Sequence, residues 1–374
     1  MTLKRLFIQN LRNLEGVDIL PSAQVNLIFG ENGSGKTSIL EAINLLALGR
    51  SFRSHKHKPL IRHQQQAFTV FGRVHTDDHS EVPIGITRSM DGEASFKANG
   101  AIVSSAADLA AYLPVQVINS DTFLLLEGSP KVRRQFIDWL VFHVEPQFYP
   151  AWKAIQRCLK HRNSLLRRDR IDRFELASWD QELVILTEKI HELRTACMAE
   201  FESNLSELLH EFVKVEGIKL SYYRGWDKER DYSDILAEGF ERDQRLGYTQ
   251  MGSHRADLKI TVNGQDAAEL LSRGQQKLLV CALKIAQGYV FSRMTGRKSI
   301  YLVDDLPAEL DEKHRKLLVH WLHAMQTQIF ITGVEQEALL SSWRDIENLI
   351  PKMFHVEQGR VKEISEVLVS GLNE

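Results

Sequence analysis

Gly30-Glu31-Asn32-Gly33-Ser34-Gly35-Lys36-Thr37 fits the spacing G-x-x-x-x-G-K-[ST] at every position. Its surroundings agree. Val25-Asn26-Leu27-Ile28-Phe29 just before it is a short apolar run of the kind a buried parallel strand makes, and from Ser38 to Leu48 apolar residues recur at helical spacing. The loop is therefore expected between a strand and a helix. Gly30, Gly33 and Gly35 let the backbone bend until successive N–H groups, those of Glu31, Asn32 and Ser34 among them, face phosphate oxygens; the helix N-terminus adds the positive end of its dipole at the same place. Lys36 then brings a point charge to the β- and γ-phosphates of a nucleoside triphosphate, and the Thr37 hydroxyl a ligand for Mg2+.

A phosphate loop alone leaves kinases, GTPases, helicases and recombinases open. The apolar run Ser299 to Val303, closed by Asp304 and Asp305, narrows the choice. Asp304 is placed to hold Mg2+, directly or through water, and Asp305 to orient or deprotonate the attacking water. The same two carboxylates could instead cap the turn that follows the strand. Between the two elements lies Leu271-Ser272-Arg273-Gly274-Gln275-Gln276. A serine that meets a γ-phosphate across a dimer interface must open a helix, and Gln275 to Ala286 reads as one. Ser-x-Gly is also an ordinary helix N-cap. Its place upstream of the acidic strand gives it weight.

With these three elements the chain resembles the ATP-binding-cassette ATPases, in the branch that acts on DNA, and is most similar to the RecF family of recombination mediators, with SMC-type and SbcC-type ATPases as more distant relatives. The resemblance runs over essentially the whole chain. It includes Leu6-Phe7-Ile8-Gln9-Asn10-Leu11-Arg12-Asn13, Ser51-Phe52-Arg53, Gly128-Ser129-Pro130-Lys131-Val132-Arg133-Arg134, Gly252-Ser253-His254-Arg255-Ala256-Asp257 and Ala308-Glu309-Leu310-Asp311. It implies an ATP-gated homodimer that binds DNA at gaps or junctions without reading sequence, hydrolyses ATP slowly, and works with RecR and RecO in recombinational repair, replication restart and the damage (SOS) response. Ser272, Gly274 and Gln275 would close on ATP held by the partner's phosphate loop. Leu310 and Asp311 match the segment that crosses that interface. Arg12 and Asn13 fall where related heads contact nucleotide, and Gln116 or Asn119 where the family's glutamine loop lies.

Three positions depart from the wider cassette pattern. Asp305 stands where transporters usually have glutamate, one methylene longer, and implies slow turnover. Thr332, after Gln328-Ile329-Phe330-Ile331, stands where transporters have a switch histidine; it could sense a γ-phosphate only by hydrogen bonding. Arg273 replaces the second residue of the usual glycine pair, and either contacts phosphate or faces solvent. A transporter motor, an SMC-like structural head and a non-hydrolysing nucleotide switch are the alternatives. The inserted lobe speaks against the first, and the missing long coiled coil against the second.

The 374 residues, 43% of them hydrophobic, suffice for one large core or two moderate ones. The expected fold is α/β: an ABC-type P-loop head, its mixed sheet flanked by helices, formed by residues 1–120 with 246–374, and an inserted, mainly helical lobe over 121–245 with a short arm. Helical spacing of Trp179, Leu183, Leu186, Ile190 and Leu193, then of Phe201, Leu205, Leu208 and Phe212, supports the lobe. Alternation at 67–74 and 82–89, with a hairpin around Asn99-Gly100, places antiparallel strands in the head. No apolar run reaches 18 residues and no secretory leader opens the chain, which implies a cytoplasmic protein that does not enter the membrane. Cys158, Cys197 and Cys281 fit no metal spacing, so reduced thiols and no zinc are expected. Net charge is only −2, yet Arg50, Arg53, Lys56, Lys58 and Arg62, with His55 and His57, form one basic cluster, and Lys153, Arg157, Lys160, Arg162, Arg167, Arg168, Arg170 and Arg173 a second. Each is either a phosphate-backbone contact or a solvated face.

Overall fold

The computed structural model describes residues 1–54, 56–77, 80–344, 346 and 349–364; His55 of the first basic cluster lies outside them. The chain forms two compact units, Met1–Thr122 with Phe291–Glu374, and Phe123–Val290. The second junction differs from the expected return at 246. Past that point β10 (Asp257–Val262) pairs antiparallel along β9 (Ile218–Tyr223), and Asp257 takes two hydrogen bonds from Arg133, so this stretch is tied into the insert.

In the first unit, β1 (Thr2–Leu11), β2 (Leu14–Ile19), β4 (Ala67–His75), β5 (Glu81–Ser89), β6 (Ala94–Ala98) and β7 (Ala101–Val103) make an antiparallel sheet in the order β2-β1-β4-β5-β6-β7. A second sheet runs β15-β14-β3-β13-β12-β8, from β3 (Val25–Phe29), β8 (Val115–Ile118), β12 (Ile300–Val303), β13 (Ile329–Gly333), β14 (Lys352–Glu357) and β15 (Arg360–Ile364); all its pairs are parallel but β14–β15. The alternating strands thus belong to the head but to a sheet of their own, not to the mixed sheet. Burial explains the split. Strands β4 and β5 bury every second residue, as a sheet with one wet face does, whereas β12 and β13 are buried throughout. The helix α1 (Lys36–Leu48) is buried all round, and its Ile39, Leu40, Ile43 and Leu46 share one core with residues of both sheets. The β6–β7 turn is Asn99-Gly100, both at positive φ, as a type I′ hairpin requires.

The second unit contains the helices Pro130–Val144, Phe148–Leu166 and the 40-residue Arg173–Phe212, the last about 60 Å long at 1.5 Å per residue. It is longer than the short arm expected for this lobe. Strands β9, β10 and β11 (Gln265–Asp266) form its small antiparallel sheet. Two of the stretches singled out in sequence meet here: Arg133 holds Asp257 at 2.7 and 3.0 Å and the Gly128 carbonyl at 2.8 Å, and Arg134 donates to the Ala256 carbonyl. Among the described residues no helix is long and apolar enough to cross a membrane.

Candidate nucleotide site

The phosphate loop joins β3 to α1, between strands whose C-terminal ends face the same cleft. Gly30 (φ 149°) lies so close to β14 that a Cβ would sit 2.1 Å from the Val356 carbonyl oxygen, so no side chain fits. From the other side, the Asn13 amide donates to the Gly33 carbonyl at 3.0 Å, and its oxygen accepts from the Ser38 hydroxyl at 3.2 Å. The Ser34 carbonyl accepts from the Gly359 amide at 2.8 Å. Asn32, Gly33, Gly35, Lys36 and Thr37 line a cleft of 530 Å³ together with Asp304 and Asp305. Gly30 and Glu31 instead turn their carbonyls to the Lys36 ammonium, at 2.7 and 2.8 Å. Burial lowers the Lys36 pKa, while Asp305 and Asp304 pull it back up.

Asp304 and Asp305 face the loop. The Thr37 hydroxyl donates to Asp304 Oδ1 at 2.9 Å, bringing together two hard oxygen donors of the kind a small divalent cation takes, so the residues fit Mg2+. Thr332 Oγ1, fully buried, donates to the same Asp304 oxygen at 2.7 Å and accepts from the Asp305 backbone N–H at 2.8 Å. Its single proton is thereby directed at Asp304, and Thr332 lines the cleft beside the two acids. Asp305 sits in the left-handed region (φ 51°, ψ 48°), and its carboxylate caps no turn. Burial, then Asp304 and Glu309, hold its pKa above the usual carboxylate range, with Lys36 opposing.

Arg12 also lines the cleft, but its guanidinium grips Glu41 of α1 in a two-pronged pair at 2.8 and 2.9 Å. Glu41 is fully buried. Sequence reading missed it, because one acid inside an apolar helical run looks like a solvated position. Arg53 and His63 line the cleft as well. Gln116 lies buried within β8; Asn119, past its end, bonds Thr122 to close the turn, and neither lines the cleft.

The serine signature belongs to the second unit. Ser272 is exposed and opens the helix Arg273–Thr295 with a reciprocal cap: its hydroxyl accepts from the Gln275 N–H at 3.3 Å, and its own N–H donates to Gln275 Oε1 at 2.9 Å. Arg273 pairs with Glu127. In the first unit, Asp311 caps the helix Glu312–Ala324 through the His314 amide, and Leu310 is buried.

The two basic clusters fare differently. In the first, Arg50, Arg53, Lys56 and Lys58 are exposed, and Arg62 pairs with Glu15 at 3.1 Å. In the second, Arg162 is wholly buried between Asp180 (2.6 Å) and Asp243 (2.7 Å); Arg157 pairs with Glu182, Arg168 with Glu175, and Arg173 stacks on Phe240. Much of that cluster is engaged within its own unit.

The family model "RecF/RecN/SMC N terminal domain" matches residues 2–362. A protein named DNA replication and repair protein RecF, from Cellvibrio japonicus, is 72% identical over 361 residues, covering 96% of this chain and 99% of its own length. Its namesake from Azotobacter vinelandii is 50% identical over 363 residues, with 97% and 99% covered. Among solved structures, the recombination mediator protein RecF with ATP in the RecFOR pathway aligns at a TM-score of 0.87 and 26% identity, covering 97% of this chain and 98% of that one. With a phosphate loop and an acidic strand end in its first unit, a capped serine signature in its second, and kinship over nearly its full length, this chain belongs to the RecF family.

Proposed function

We propose that this chain is an ATP-hydrolysing clamp that dimerises on ATP and binds DNA in the RecFOR repair route, with RecR and RecO as partners and the cytoplasm as its setting. The carrying observation is the convergence of Lys36, Thr37, Asp304 and Asp305 on one cleft, with Thr37 Oγ1 2.9 Å from Asp304. The names of the relatives, and the aligned RecF structure being one with ATP, support the same reading.

Loop amides and the α1 N-terminus receive the phosphates, and the Lys36 ammonium, which donates to two loop carbonyls, has a third proton to give them. Thr37 and Asp304 would hold Mg2+, which when bound neutralises charge on the β- and γ-phosphate oxygens. Asp305 accepts the proton of the attacking water, a task suited to a carboxylate whose pKa is raised. Its shorter side chain supports slow turnover. Ser272, exposed at a helix start, would complete the site of a second copy. Exposed cations at 50–58 supply a sequence-independent attraction for DNA.

The test is fluorescence anisotropy of labelled duplex DNA titrated with protein alone, with ATP and Mg2+, and with ADP. ATP should tighten binding, and Lys36→Ala should abolish both nucleotide binding and the gain. Equal affinity in all three states would refute the clamp. A non-hydrolysing switch is the second reading, favoured by the short reach of Asp305; single-turnover hydrolysis by Asp305→Asn at the wild-type rate would exclude Asp305 as the base.

A further inference from the structure

Glu41 has no place in the chemistry above, yet it sits at the meeting point of three elements of the first unit. It lies on α1, one turn past Thr37, with no exposure to solvent. Its carboxylate accepts Arg12 Nε at 2.9 Å and a second guanidinium N–H at 2.8 Å, and also the Ser51 hydroxyl. Ser51 Oγ in turn accepts the amides of Arg53 (2.9 Å) and Ser54 (3.0 Å). One turn along α1, Asn44 Nδ2 donates to the Arg50 carbonyl at 2.7 Å. The far end of the same loop is tied to Arg12: its guanidinium holds the Pro59 carbonyl at 2.9 Å and its backbone N–H the Leu60 carbonyl at 2.7 Å.

Both ends of the 50–62 loop are thus fastened, through one buried acid and the arginine it holds, to the helix that carries the phosphate-loop lysine. A buried carboxylate needs such partners, since an unpaired one would be heavily penalised. The loop has two faces. Arg53, Pro59 and Ile61 line the nucleotide cleft, while Arg50, Lys56 and Lys58 are exposed cations.

We propose that Glu41 is a positioning residue that locks Arg12 and the 50–62 loop to the phosphate-loop helix, so that nucleotide in the cleft sets the affinity of the loop's exposed cations for DNA; this rests on the ATP-gated reading above. Glu41 itself touches neither ligand. It makes the cleft wall and the basic surface one body, the condition for a binding event on one face to be felt on the other.

The experiment measures duplex-DNA affinity with and without saturating ATP in the full chain and in two variants, with ATP affinity measured alongside. Glu41→Gln removes the charge that holds both Arg12 and Ser51. Ser51→Ala cuts the direct tie between Glu41 and the loop and leaves the Arg12–Glu41 pair in place. Couplings between sites commonly amount to about 5- to 150-fold. A wild-type ratio in that range should fall toward one in both variants, while ATP affinity drops far less than in Lys36→Ala. A wild-type ratio retained in Ser51→Ala overturns the proposal, whatever Glu41→Gln does, because the loop link would then be dispensable. No ATP effect on DNA affinity in the unaltered chain would instead bring down the clamp reading itself.

Discussion

Thr332→Val is the sharpest probe of the acid pair. Valine keeps the shape of threonine at a fully buried position, so packing is preserved and only the hydroxyl is lost. That hydroxyl donates to Asp304 Oδ1 at 2.7 Å and accepts the Asp305 N–H at 2.8 Å. A hydrogen bond to a charged group contributes about 1.5–3 kcal/mol, and a buried amide left without its acceptor costs about 1–3 kcal/mol. The two losses share one atom and are not additive, so about 2–4 kcal/mol of stability should go. The Asp305 backbone, held in the left-handed region by this contact, should relax toward a commoner conformation. If about 2 kcal/mol of the loss falls on the positioning of the carboxylates, kcat drops about thirty-fold, at 1.36 kcal/mol per decade. Thr332→Ser, which restores the hydroxyl, should recover most of both. The assays are the urea midpoint and steady-state ATP hydrolysis, run side by side. A valine variant with wild-type midpoint and turnover would show that the hydroxyl bridge does not hold the acids.

Ser272→Arg should leave ATP binding intact, since the serine lies on a different unit from Lys36, and should block ATP-dependent dimerisation; light scattering that still finds an ATP-induced dimer would remove Ser272 from the interface. Asp243→Ala strips one of two carboxylates from the buried Arg162 guanidinium and should destabilise the second unit by about 3–5 kcal/mol, read from its urea midpoint. His254, its pKa lowered to about 4 chiefly by burial, is neutral in the folded state. The stability this provides is whole above pH 6.5 and is lost as pH falls toward 4, at 1.36 kcal/mol per unit, or about 3 kcal/mol in total. His254→Gln should flatten that part of the pH–stability curve, and an unchanged slope would refute the assignment.

The residues that meet in the candidate cleft were mostly legible because they are local in sequence. The glycines, Lys36 and Thr37 are contiguous, and the strand before Asp304 is apolar on both faces, a pattern that periodicity detects. The links between those parts were not legible. Arg12 and Glu41 lie 29 residues apart and Thr332 and Asp304 28 apart, and no local pattern marks either pair. Alternation identified the strands around residues 67–103 but carries no information on which sheet they join, so the separate antiparallel sheet was missed. Arg162 was counted with a basic surface because its neighbours in sequence are surface residues; only the approach of Asp180 and Asp243 turns it inward. The second unit reaches past 246 for a similar reason, since β10 seeks β9.

The sheet order carries a consequence for how the protein is made. Strand β3, which leads into the phosphate loop, has β13 on one side and β14 on the other. Both neighbours are translated roughly 300 residues later, about 15–60 s at 5–20 residues per second. During that interval the nascent nucleotide site has neither of its flanking strands, nor the Val356 carbonyl that packs on Gly30. The inserted unit, continuous in sequence from Phe123 to Val290, can fold first. The candidate nucleotide cleft is therefore completed late in the synthesis of each chain, and an unfinished copy lacks the strands that shape it.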